Sequence, residues 1–312
     1  MATRVLITVD TELRGQHGCE DWQENFDRSY DPAGVGIPYQ LKLLAEHRLK
    51  ACFFVDPMPA LLFGLDPVRR MVAPILDAGQ EVQLHLHSFW QGAAEGFEPR
   101  YEMTGLPFEE QFALIEEARD ILVAAGAPQP VAYRAGSYAA DWATIEALRA
   151  LGIRYDSSHN GSHHPWPSAL PLDPRQIAPI GLGGIVEVPV TQIEQGREGL
   201  RHLQLCAVSS GELEQALQHA LTNRHPLVTI VSHSFELATR DGLRPNPVLC
   251  RRFEDLCRFL SEQRLDLRTV HFTELDDVPL GVPAEPMGAR PLRTAWRMAE
   301  QLWSNARYER AL

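Results

Sequence analysis

Short apolar runs of strand period alternate with longer stretches of helical period along most of the chain. The runs Val5–Asp10, Lys50–Val55, Val82–His87, Ala132–Arg134, Ile153–Tyr155, Val186–Val190, Val228–His233 and Leu267–Val270 predict strands. Helical spacing predicts helices near Pro38–His47, Pro67–Ala78, Phe108–Ala125, Trp142–Leu151, Ser210–Asn223 and Pro247–Gln263. The pattern is plainest in Phe108–Ala125, where Phe112, Ile115, Ala118, Ile121 and Leu122 fall on one stripe. Strand–helix alternation of this kind predicts an α/β fold with a parallel sheet or barrel.

Three connections, Leu13–Ile37, Ser88–Pro107 and Ser157–Gly184, are long for a compact domain. Each follows a predicted strand, so all three should rise from the face where α/β barrels carry their active sites. They hold Trp22, Phe26, Tyr30, Trp90, Tyr101 and Trp166, whose flat rings either stack on a sugar or pack the loops onto the barrel. Beyond residue 276 the pattern changes. Residues 277–291 are rich in Pro and Gly and read as a linker. Residues 292–312 read as a basic amphipathic helix with Leu292, Trp296, Leu302 and Trp303. That helix is expected to dock on the barrel (1–276) or on a second copy, giving a homodimer, rather than on a membrane.

Charge and composition narrow this further. With 45% apolar residues the chain can bury a large core, and a net charge of −12 argues against nucleic-acid or anionic-membrane partners. The five cysteines match no zinc-finger or disulfide framework. The start of the chain runs straight into a strand without a signal-peptide pattern, and no stretch is long enough to span a membrane, so a cytoplasmic location is expected.

The strand ends carry the chemistry. Asp10 and Glu12 close the first strand two residues apart, hence on one face if the strand stays extended. Buried carboxylates there need a partner, a hydrogen bond or a metal. In Gln80–Trp90, Val82, Leu84 and Leu86 share one face, and His85 and His87 the other, a spacing that suits two ligands of one cation. Arg134 ends the next strand before a turn with Gly136, and a semi-buried guanidinium calls for a carboxylate. Asp156 and His233 close two further strands, and His233 there is a candidate general acid or base.

In order and context, TVDTE at Thr8, ACFFV at Ala51 followed by QEVQLHLH, RAGSY at Arg134, YDSS at Tyr155, IVSHSF at Ile230 and VHFTEL at Val270 resemble the polysaccharide deacetylase, or NodB-homology, family (carbohydrate esterase family 4), in particular its bacterial surface-polysaccharide branch. The resemblance covers most of the chain. It implies a distorted (β/α) barrel of about seven strands and a divalent metal, zinc in the first place and cobalt or nickel otherwise. It also implies removal of an N-acetyl or N-formyl group from a sugar. By it, Asp10 is the base and Arg134 holds that base. Asp156 orients His233, the acid. Glu12 and His85 take metal-ligand positions; strand alternation adds His87 to them, and Trp90, Ser137, Tyr138 and Trp166 are expected to contact substrate. The backbone amide at Ser137 takes the place of the family's oxyanion donor.

The sequence departs from the family pattern where Phe89 stands four residues after His85, in place of the usual second metal histidine. His87 is the expected substitute, with His17, His163 or His164 as loop alternatives. The expected substrate is a nucleotide-linked or lipid-linked N-acylated sugar. The rival expectation is a catalytically degenerate barrel that binds a glycan or a partner protein.

Overall fold

The computed structural model describes residues 2–14, 21–96, 102–196 and 199–309. The strands are β1 (Thr3–Thr11), β2 (Cys52–Val55), β3 (Glu81–Leu86), β4 (Ala132–Ala135), β5 (Tyr155–Asp156), β6 (Ile180–Leu182), β7 (Ile185–Glu187), β8 (Gln192–Gln195), β9 (Gly199–His202), β10 (Leu227–His233) and β11 (Leu267–Thr269). The helices are α1 (Trp22–Ser29), α2 (Ile37–His47), α3 (Ala60–Phe63), α4 (Asp66–Asp77), α5 (Phe89–Glu95), α6 (Phe108–Ala124), α7 (Trp142–Ala150), α8 (Ser210–Thr222), α9 (Pro247–Glu262) and α10 (Pro291–Ser304).

The main sheet runs β10-β1-β2-β3-β4-β5-β7-β6, parallel as far as β7, with the hairpin strand β6 antiparallel at its edge. It curls into an open, distorted barrel. The seven parallel strands of this path agree with the expected number. β11 pairs with Thr3–Val5 of β1, while β2 pairs with Thr8–Thr11, so β11 fills the base of the β1–β2 seam.

Alternation sorts each strand into two faces. Val5, Ile7 and Val9 of β1 join the apolar layer beneath the helices, with Phe53, Leu84, Tyr133 and Ile230. Leu6, Cys52, Phe54, Ala132, Tyr155, Val188 and Leu227 fill the barrel interior at its base. The same parity carries Thr8, Asp10 and Glu12 to the inside above them. Helix starts are fixed locally. Asp141 with Thr144, and Ser209 with Glu212, form capping boxes on α7 and α8, and Asn246 caps α9 ahead of Pro247.

The long connections hold more structure than their composition suggests. They contain α1, α5 and β6, and β6 turns into β7 through Gly183 and Gly184, both left-handed at φ +57° and +95°. That is the backbone a two-residue hairpin turn requires. Among the described residues no helix is long and apolar enough to cross a membrane. Residues 277–290 lie along the barrel, with Val278 and Met287 buried and the Met287 carbonyl accepting from Glu194 N at 2.9 Å. The terminal helix α10 does dock on the barrel, but through its polar side. Arg297 Nε lies 3.3 Å from Glu212, Glu300 accepts from Arg252 at 2.6 Å, and Ser304 meets Asn246 at 3.3 Å. The contact runs through the polar side because the barrel surface there is itself polar.

Candidate metal centre and acid–base pair

Two strand ends, those of β1 and β3, deliver Glu12, His85 and His87 to one point inside the rim. Glu12 Oε2 lies 2.5 Å from His87 Nε2 and 3.3 Å from His85 Nε2. The prospective ligand atoms of all three lie within 4.8 Å of one another. The His85 Nδ1–H donates to the Arg134 carbonyl at 2.8 Å, which leaves the Nε2 lone pair facing Glu12. His87 is packed against Gly136, where a Cβ would fall 2.5 Å from the ring. The glycine therefore admits an imidazole of the protein itself.

This donor set fits a divalent cation. Glu12 Oε2 is buried, yet neither imidazole approaches it in hydrogen-bond alignment. One carboxylate oxygen and two imidazole nitrogens, the His85 ring with its tautomer fixed, are the donor set of a divalent-metal site. Without a cation, burial raises the Glu12 carboxyl, but His87 and His85 outweigh it and hold the group well below the usual carboxylate range. Burial works against a charge on His87, and Glu12 overcomes it, holding His87 up at about 9. Asp56, at the end of β2, is a further buried acid beside this cluster. Its Oδ1 accepts from Met58 N at 3.0 Å, and its Oδ2 has no hydrogen-bond partner among the described residues. Burial pushes this carboxyl up to about 6 against the pull of His87 and His85. It ends the strand ACFFV, and a carboxylate at a strand end was the signal that could have marked it.

The acid–base half stands beside the metal half. Asp10 and His233 are register partners on β1 and β10, with His233 Nε2 3.9 Å from Asp10 Oδ2. That gap exceeds a hydrogen bond, so both atoms remain available to other partners. Arg134 is fully buried and grips Asp10 Oδ1 at 2.7 Å and Thr8 Oγ1 at 2.8 Å. It also donates to the Ser157 carbonyl and hydroxyl at 3.1 Å and lies over Phe54, 4.4 Å from the ring centre. Removing one partner of a buried pair like this costs about 3–5 kcal/mol.

His233 is held by Glu236 rather than by Asp156. His233 Nδ1 lies 3.2 Å from Glu236 Oε2, on the turn after β10. Glu236 Oε1 is fixed by the Cys206 amide at 2.5 Å and by Gln204 Nε2 at 3.4 Å. Burial opposes charge on His233, but Glu236 and Asp10 together hold it up at about 9. Asp156 could not fill this place: Tyr155 faces the interior, so alternation turns Asp156 to the outer face. There it accepts from Ser158 Oγ at 2.6 Å and pairs with the buried Glu187. Burial and the Asp156 charge push Glu187 well above the carboxylate range, and burial raises Asp156 as well, so the two carboxyls share a proton. Ser158 Oγ in turn accepts from Ala135 N at 2.9 Å, so the pair braces the strand that carries Arg134.

The expected substrate contacts divide. Trp90 is buried in the outer apolar layer against Phe63 and Phe89, which withdraws it from substrate. Phe89 starts α5 in that same layer. Phe26, on α1, and Tyr30, which ends it, are buried and stack on each other at 4.6 Å. Trp166 is exposed on the loop after β5. Ser137 and Tyr138 are both left-handed, at φ 54° and 59°. Left-handed backbone costs non-glycine residues on the order of 1–2 kcal/mol each, a strain typical of functional turns. The Tyr138 ring faces His163 at 5.4 Å and His202 at 6.0 Å. His163 and His164 stand outside the Glu12–His85–His87 group, and His17 and Tyr101 lie outside the described residues.

No protein-family model matches the chain, and no curated protein matches it. Solved structures do. One from Mycobacterium smegmatis, provisionally assigned as a polysaccharide deacetylase, is 19% identical with a TM-score of 0.53, covering 100% of this chain and 94% of that one. A 4-α-glucanotransferase from Thermococcus litoralis is 13% identical at a TM-score of 0.50, over 87% of this chain and 38% of that one. A family 4 carbohydrate esterase from Streptomyces lividans, in complex with acetate, is 13% identical at 0.46, over 91% and 98%. At these identities the first two likenesses establish a shared fold, a distorted (β/α) barrel.

Proposed function

We propose that this protein is a metal-dependent hydrolase that removes an N-acyl group, acetyl or formyl, from an amino sugar during surface-polysaccharide biosynthesis. The observation that carries the reading is the placement of a Glu–His–His cation cluster and a facing Asp10–His233 pair at one barrel rim. Glu12, His85 and His87 would hold the ion. When bound, a divalent cation such as zinc, cobalt or nickel supplies Lewis acidity to an acyl carbonyl and acidifies water beside it. Asp10 takes the proton of the attacking water at Oδ2, because Arg134 occupies Oδ1. His233 gives the proton on Nε2 to the departing nitrogen, and Glu236 keeps Nδ1–H oriented. The amide C–N bond breaks, a C–O bond forms, and a carboxylate and an amine leave. The strained Ser137–Tyr138 turn offers the Ser137 amide to the developing oxyanion, and Tyr138 and Trp166 shape the sugar subsite. The natural substrate is a nucleotide-linked or lipid-linked sugar.

The test is release of acetate or formate from a panel of N-acylated sugar precursors by protein reconstituted with zinc, cobalt or nickel. Release that disappears in Asp10→Asn supports the reading. No release across the panel from protein with stoichiometric metal overturns it and leaves a glycan- or partner-binding barrel.

A further inference from the structure

Asp56 is a buried acid that the proposed chemistry leaves unused. It stands one residue past β2, where the ladder to β1 still runs: its N–H donates to the Thr11 carbonyl at 3.0 Å. Pro57 follows it, and the residue before a proline is kept out of the helical region, so the extended backbone is carried through Asp56. The register then fixes its neighbours. Thr11 pairs with Val55, and Val55 with Leu84, so the next rung sets Asp56 between Glu12 on the β1 side and His85 on β3. Neighbouring strands lie about 4.8 Å apart, so Asp56 is one strand spacing from each of two residues of the cation cluster. Alternation fixes its direction. Phe54 packs in the barrel interior with Leu6 and Cys52, and Asp56, two residues on, turns the same way above it.

The side chain is only half engaged. Asp56 is fully buried. Its Oδ1 closes the turn after β2 by accepting from the Met58 amide, while Oδ2 is buried with no hydrogen-bond partner among the described residues. A buried carboxylate oxygen without a donor is costly unless a cation meets it. The turn by itself has no need of a carboxylate, since the amide oxygen of an asparagine closes the same turn. The cluster beside it has the complementary shortage. Glu12 brings one negative charge, and His85 and His87 ligate as neutral imidazoles. A divalent cation on these three alone keeps a positive charge inside the barrel.

We propose that Asp56 is the fourth protein residue of the cation centre, supplying the second carboxylate that neutralises the ion. The inference rests on the metal half of the reading above and adds a residue to it. Asp56 stands outside the group whose ligand atoms lie within 4.8 Å of one another. It therefore balances the charge from beside the three ligands, with Oδ2 as acceptor for water that hydrates the ion. Carboxylates in such supporting positions change metal affinity about 10–100-fold.

Asp56→Asn removes the charge and keeps an acceptor for the Met58 amide. Zinc and cobalt affinities of the full chain, read by chelator competition, should fall by at least about tenfold. The metal-free melting temperature should stay or rise, because a stranded buried carboxylate has gone. The rise in melting temperature on adding zinc, read for each protein against its own metal-free form, should shrink, and this comparison cancels any general effect of the substitution on the fold. Asp56→Ser, whose hydroxyl closes the same kind of turn, is the second variant if the first does not fold. A fall in affinity of less than about tenfold in a folded variant overturns the proposal. So does a lowered metal-free melting temperature with an unchanged zinc-induced rise, which assigns Asp56 to the turn alone. A parent chain that binds neither metal overturns the cation-site reading itself. Release of acetate or formate enters none of these measurements, so failure of the deacylase reading is distinguished from failure of this one.

Discussion

Replacing Glu236 with glutamine should move the alkaline limb of catalysis. His233 is buried, which works to discharge it, and its hydrogen bond to Glu236 with the charges of Asp10 and Glu236 holds it protonated up to about 9. The geometry assigns most of that support to Glu236, 3.2 Å from Nδ1, against 3.9 Å between Nε2 and Asp10. A hydrogen bond to a charged group contributes about 1.5–3 kcal/mol, and one pKa unit corresponds to about 1.4 kcal/mol. Removing the charge of Glu236 while keeping its shape therefore lowers His233 by about 1–2 units. An acid must be protonated to act, so activity falls as pH rises through its pKa. The alkaline limb of the kcat profile should move to lower pH by the same amount, with the acid limb in place. Glutamine Oε1 still accepts from the Cys206 amide, which keeps the turn folded. A bound cation depresses His233 in both proteins, so the displacement between the two profiles is the quantity to read. An unmoved alkaline limb in a folded, metal-loaded Glu236→Gln variant would refute Glu236 as the residue that positions the acid.

Metal affinity should rise with pH up to about tenfold per unit below the His87 pKa of about 9, because a ligating imidazole must shed its proton; chelator competition across neutral pH reads the slope, and His87→Ala should lose both slope and stoichiometric metal. Arg134→Leu should destabilise the fold by about 3–5 kcal/mol through the stranded Asp10 carboxylate, and a urea midpoint within error of the parent would contradict the buried pair. Glu187→Gln should stabilise the protein increasingly as pH rises. The folded-state pKa of Glu187 lies above its unfolded value, so its contribution is fully present below the unfolded pKa and is lost as pH rises toward the folded one. Glutamine mimics the protonated acid and carries no such loss, and thermal melts at several pH values check the divergence.

The strand–helix alternation and the residue types at the strand ends were legible in the chain itself. Period-2 alternation alone places His85 and His87 on one face of β3, and Asp10 with Glu12 on one face of β1, because side chains of an extended strand point alternately. Packing then decided which neighbour each one meets. Asp156 reads from the sequence as a rim carboxylate like Asp10, but the interior position of Tyr155 turns it outward to Glu187, and Glu236, in a turn with no strand period, takes its place on His233. Trp90 reads as a loop aromatic and becomes core because the loop folds into α5 over Phe63. The amphipathic pattern of α10 is plain from residue spacing, but spacing says only that two faces differ. Which face meets the barrel depends on what the barrel offers, and Glu212, Arg252 and Asn246 offer charge and hydrogen bonds rather than an apolar seat.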